Sequence, residues 1–267
     1  MKKIVFLIIL TVQIFAKLNI IVSIQPEVEF VNKIGGNRVD IDLMVEAGSS
    51  PHTYEPKVYQ MKKLSKADLY FAIGVEFEKS WLDRFKNQNR KLKIIDLSKD
   101  INRTFNNREL DPHIWTTPLN VKIIAKNIFN ALSTLDKNGT TYYKQNLDNY
   151  LKELDKLDRE IRDILKDVPK GSSFMIFHPA WGYFAKDYGL KELAIEIDGK
   201  EPKPRELIRV IKEAKRAKVK AIFTQPEFSD KSAKIIADTL KIRVIKASPL
   251  AKDWANNLLN LAKAIAN

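Results

Sequence analysis

The chain has 267 residues, 45% hydrophobic and 30% charged, with a formal net charge of +13 and no cysteine. Apolar residues recur throughout and suffice for a large core, which excludes a disordered chain. The missing cysteine excludes disulfides, thiolate metal sites, a cysteine nucleophile and the lipid anchor of a bacterial lipoprotein.

Residues 1–16 read as an export signal: Lys2 and Lys3 are basic, Ile4 to Phe15 is almost wholly apolar, and Ala16 offers a small residue for cleavage. The run is shorter than the ~20 residues a spanning helix needs, which favours a cleaved signal over a membrane anchor. A soluble, periplasmic and monomeric mature protein is expected. Its basic residues are interleaved with acids, as in Lys152-Glu153-Leu154-Asp155-Lys156. No aromatic-plus-basic platform accompanies them, so nucleic acid is not an expected partner.

From Leu18 onward, short β-branched runs alternate with amphipathic stretches. Strands are expected at Leu18–Ile24, Arg38–Val45, Leu69–Gly74 and Leu92–Leu97, with helices near Pro26–Ile34, Lys57–Lys66 and Lys79–Asn87. This alternation is that of parallel βαβ units. Pro118–Leu135 reads as a helix, broken by Lys137-Asn138-Gly139. From Thr140 to Asp167, Tyr143, Leu147, Tyr150, Leu154, Leu157, Ile161 and Ile164 form one narrow apolar stripe. A helix of that length spans roughly 42 Å, more than one βαβ layer requires. A single such stretch suits a strut against two lobes better than a coiled-coil partner.

The alternation then resumes. Strands are expected at Ser173–Phe177, Leu193–Ile197, Val219–Thr224 and Arg243–Ala247. Helices are expected at Ala180–Tyr188, with Gly189 as the stop, and at Glu206–Ala217, Asp230–Leu240 and Trp254–Ala266. The expected fold class is α/β: two parallel-sheet lobes, residues 17–137 and 170–267, joined by one long rigid linker helix over 138–169.

Only three histidines occur, and each lies beside a proline in a loop or strand-end position: Pro51-His52, Pro112-His113 and His178-Pro179. Open α/β sheets bind ligands at the carboxyl ends of strands, which suits His52 and His178. The intervals of 61 and 65 residues match no short zinc motif, so only tertiary folding can assemble these residues into one site.

The loop around His52, the Asp111-Pro112-His113-Ile114-Trp115 run and the His178-Pro179-Ala180-Trp181-Gly182-Tyr183 stretch resemble the zinc and manganese receptors of bacterial ABC uptake systems. The likeness continues through Glu201-Pro202-Lys203-Pro204-Arg205-Glu206-Leu207, Gln225-Pro226-Glu227-Phe228-Ser229 and Ser248-Pro249-Leu250. It implies a metal site in the cleft between the lobes, with His52 and His113 from the first lobe and His178 from the second. It also implies a binding protein rather than an enzyme, handing metal to a membrane permease. Histidine at the third position is the zinc variant, since imidazole suits Zn²⁺ whereas Mn²⁺ prefers oxygen.

The pattern departs from the family's at two points. Ser248 stands where an aspartate often supplies a fourth ligand, leaving Ser248, Glu201 or water as candidates, and Lys99–Leu110 holds no histidine-rich loop. Asp111, Glu55 and Trp115 are expected around the ligands. The alternatives are a manganese or iron receptor, a three-histidine zinc hydrolase, or an adhesin using metal structurally.

Overall fold

A computed structural model describes residues 17–106, 109–197 and 199–267, so the expected signal segment lies outside the described residues. In the first half, β1 (Leu18–Val22), α1 (Gln25–Gly35), β2 (Val39–Leu43), α2 (Val58–Leu64), β3 (Leu69–Ala72), α3 (Glu76–Gln88) and β4 (Lys93–Asp96) build a parallel sheet of order β2-β1-β3-β4. A two-residue-strand hairpin follows, β5 (Phe105–Asn106) with β6 (Glu109–Leu110). It occupies the stretch where the sequence offers no histidine-rich loop.

Two long helices come next, α4 (Pro118–Leu135) and α5 (Thr140–Ile164). The second parallel sheet has the order β10-β9-β7-β8, from β7 (Ser173–Ile176), β8 (Lys191–Ala194), β9 (Ala221–Thr224) and β10 (Arg243–Lys246). Its helices are α6 (Gly182–Asp187), α7 (Pro204–Arg216), α8 (Lys231–Leu240) and α9 (Trp254–Ala266). The central strands β3 and β9 are buried along their whole length, as strands covered on both faces must be.

Local chemistry sets several boundaries. Pro118 and Pro204 open α4 and α7, where a missing N–H costs nothing. The Asp253 carboxylate accepts the backbone N–H of Asn256 and caps α9. Gly189 adopts φ +68° after α6, a left-handed conformation that glycine enters without a Cβ clash.

The apolar stripe of α5 is buried from Tyr143 to Ile161, and Ile164 is half-buried. It packs against α1 and α4 from the first half of the chain and against α9 from the chain's end. One hydrophobic core therefore runs from the first sheet through α5 onto the inner face of the second. A smaller core of Met175, Phe177, Ile195, Val210, Ile222 and Ile236 lies under α7 and α8. The strut is thus an internal spine packed along its length. Among the described residues no helix is long and apolar enough to cross a membrane.

Polar groups are buried at the carboxyl ends of β1 and β3. Ser23 bonds the Tyr70 hydroxyl at 2.6 Å and donates to Glu78, which also accepts the backbone N–H groups of Ile73 and Gly74. Glu27 accepts the N–H groups of Ser23 and Ile24. Burial raises the pKa of both acids and pushes Glu78 up to about 7. These bonds fasten α1 and α3 to the strand ends they follow.

Leu154 is 1% exposed at the centre of the α5 stripe. Leu154→Ala is expected to lower the unfolding free energy by about 2–5 kcal/mol, through lost burial and the cavity left behind. Urea denaturation of the two proteins checks this, and an unchanged midpoint would mean that the spine is not packed as described.

Candidate metal centre

The carboxyl ends of both sheets point into one cleft, and the three histidines meet there. His52 lies in the loop after β2, which is held against the start of α3 by a bond from Phe77 N–H to the Pro51 carbonyl at 3.2 Å. His178 follows β7, where strand order reverses between β8 and β9. Gln225 fixes its backbone in both directions, accepting from His178 N–H at 3.3 Å and donating to its carbonyl at 2.7 Å.

His113 sits on neither sheet. It belongs to the Asp111–Thr117 segment, which ends where α4 begins. The second half of the chain grips this segment at four places. The Tyr183 hydroxyl donates to the Asp111 carbonyl at 3.1 Å, and Trp115 Nε1 donates to the Pro249 carbonyl at 2.8 Å. Trp254 Nε1 donates to the Trp115 carbonyl at 2.8 Å, and the Thr117 hydroxyl to Asp187 at 2.5 Å. His113 is thus carried by the first half of the chain and clamped by the second. Gly182 belongs to the same contact: a Cβ there would stand 3.0 Å from Asp111 Oδ2, tight enough to press on that carboxylate.

One ring nitrogen from each histidine lies within 4.8 Å of the other two. The Nε2 atoms of His52 and His178 are 3.0 Å apart. On the opposite side of each ring a carboxylate claims Nδ1: Glu76 for His52 at 3.1 Å, Asp111 for His113 at 2.8 Å and Glu196 for His178 at 3.0 Å. An ionised carboxylate only accepts, so each Nδ1 donates and each Nε2 is the atom left facing the cleft. A tetrahedral zinc ion with Zn–N near 2.0–2.1 Å needs its nitrogens roughly 3.4 Å apart, a value that lies between the 3.0 Å of the His52–His178 pair and the 4.8 Å that bounds the whole set.

His52 and His178 sit in different electrostatic surroundings. Burial opposes a charge on His52, but the hydrogen bond and charge of Glu76 outweigh it and raise the imidazole above 6.5. Glu76, despite its own burial, is held down at about 2 by the same bond. His178 moves the other way, lowered by burial and only partly offset by Glu196.

Asp111 stands where the sequence led us to expect a supporting acid. Glu55 does not: it is exposed, and Glu76 and Glu196 hold the other two rings. Glu201 is also exposed and accepts from the Ser232 hydroxyl. Ser248 Oγ donates to Glu227 at 3.2 Å and accepts from Leu250 N–H at 3.1 Å. Trp115 packs beside His113, and Phe228 stacks on His178 with centroids 4.7 Å apart. Further along the chain, the half-buried Glu192 accepts from Trp181 N–H at 2.8 Å, and desolvation pushes its pKa up to about 8.

In Glu76→Gln, burial is opposed only by the weaker influence of the Glu196 charge, and the His52 pKa is expected to fall below that in the parent protein. Imidazole proton shifts followed by NMR across pH 5–8 check this. An unchanged titration would mean that Glu76 is not its partner.

Comparison with known proteins places the geometry in context. Residues 20–267 match the family described as zinc-uptake complex component A, periplasmic (ZnuA). A crystal structure of ZnuA superposes with a TM-score of 0.91 at 40% identity, covering 94% of this chain and 98% of that one. The manganese ABC transporter substrate-binding lipoprotein PsaA of Streptococcus mitis is 28% identical over 85% of this chain and 78% of its own length. The zinc-binding protein AdcA of Streptococcus pyogenes is 27% identical over 88% of this chain, which spans only 50% of that protein. With the match running from the first strand to the last residue, this chain belongs to the ZnuA family of metal receptors.

Proposed function

We propose that this protein captures Zn²⁺ in the periplasm and delivers it to the membrane permease of an ABC transporter, without catalysing a reaction. The observation that carries the reading is the convergence of three imidazole Nε2 atoms whose Nδ1 atoms are each tied to a separate carboxylate. Such pairs fix ring orientation and strengthen the ligands, and an all-nitrogen set favours zinc over manganese. The division into a signal over 1–16, lobes over 17–137 and 170–267 and a helix over 138–169 is part of this proposal, as is a monomeric state. A manganese receptor is the second reading, supported by the likeness to PsaA. The three nitrogens weigh against it.

Isothermal titration of the metal-free protein is expected to give tight zinc binding and weaker manganese binding. His178→Ala is expected to lose most zinc affinity with the fold unchanged by circular dichroism. An unchanged dissociation constant would sink the assignment of His178.

Affinity is also expected to fall with pH. The raised pKa of His52 means that a proton already competes with zinc somewhat above pH 6.5, and the lowered pKa of His178 adds its competition only below that value. Zinc titrations from pH 8 to pH 5 check this. A flat profile would rule out imidazole ligands.

A further inference from the structure

Three nitrogens leave one tetrahedral position, and the cavity they line also contains an acid that none of the rings engages. Besides His52, His113 and His178, the cavity is lined mostly by apolar residues, among them Trp115, Phe228 and Leu250, with Ser50, Glu76 and Glu227 as its other polar side chains. Glu76 is engaged by His52, as Asp111 and Glu196 are by the other two rings. Glu227 bonds no histidine and no cation among the described residues. Its side-chain partner is the Ser248 hydroxyl, at 3.2 Å, beyond the usual range for a bond between oxygens and correspondingly weak.

We propose that Glu227 is the fourth donor to the captured metal, held beside the site by Ser248 until the ion arrives. The inference rests on the zinc-capture reading above. Ser248 itself is poorly placed to ligate, because its oxygen already accepts Leu250 N–H while its proton points at Glu227. The backbone next to Glu227 is steadied by Phe228, whose ring stacks on His178. Giving up one long hydrogen bond and turning one side chain brings the carboxylate towards the open position. Its charge reduces the +2 that three neutral imidazoles leave on the ion, within walls that are mostly apolar.

Cobalt(II) in place of zinc tests this, because its visible spectrum responds when azide enters an open or water-filled coordination position. The wild-type spectrum is expected to ignore azide. Glu227→Gln is expected to respond to azide and to bind zinc roughly tenfold or more weakly. Ser248→Ala, which keeps the carboxylate and removes its restraint, is expected to bind zinc at least as tightly as the parent and to ignore azide.

An azide response in the wild type, or an unchanged zinc dissociation constant in Glu227→Gln, would overturn the proposal. Either result leaves zinc capture intact so long as His178→Ala abolishes binding. A wild-type protein that takes up neither cobalt nor zinc would overturn both.

Discussion

The pairing of each imidazole Nδ1 with its own carboxylate is the interaction on which the centre depends. An unpaired histidine has two tautomers and a freely turning ring, and three such rings would rarely present three lone pairs to one point. Glu76, Asp111 and Glu196 remove that freedom. Each acid comes from a different part of the chain: the first residue of α3, the segment before α4 and the loop after β8. The rings can be aimed together only if those parts are themselves held in register. That explains why so much of the polar bonding lies around the strand ends. Ser23 and Glu78 secure α3, Gln225 secures the His178 backbone, and Glu192 secures the turn that follows it.

The Asp111–Thr117 segment carries this constraint across the molecule. It is covalently part of the first half, yet Tyr183, Asp187, Pro249 and Trp254 all bond to it. Trp254 adds an edge-on contact with Phe30 of α1, 5.1 Å between ring centroids. His113 and His178 are therefore held in one bonded frame, while His52 stands on a loop tied to α3. Because α5 and α9 extend a single hydrophobic core beneath both sheets, the frame rests on packed helices rather than on a flexible crossing.

Much of this was legible in the residues. The expected helix over Pro118–Leu135 matches α4 in both bounds, because its apolar period is clean and proline marks its start. The stripe on α5 is buried as its spacing requires. The α/β alternation fixed two parallel sheets, although β8 begins at Lys191, two residues before the expected strand, because edge-strand positions carry little hydrophobic signal. The supporting acids were harder to find. Asp111 is two residues from His113 and visible by adjacency, whereas Glu76 and Glu196 are two among 33 acidic residues with no motif around them. Glu55 lies closer to His52 in sequence, but its loop turns it to solvent. The only local hint for Glu76 was its place at a helix start just after a strand, where sheets of this kind present their functional groups.

The three supporting acids also set the charge of the cleft. Neutral imidazoles carry none of their own, so Glu76, Asp111 and Glu196 place negative charge behind all three rings. Glu76 is held well below the usual carboxylate range, at about 2, by its bond to His52. Such acids favour a cation at the point the rings face, in a partly buried cavity where an unbalanced charge would be costly. The same arrangement sets a limit on selectivity: carboxylates behind the rings attract any divalent ion, and discrimination has to come from the nitrogen donors and from whatever occupies the fourth position.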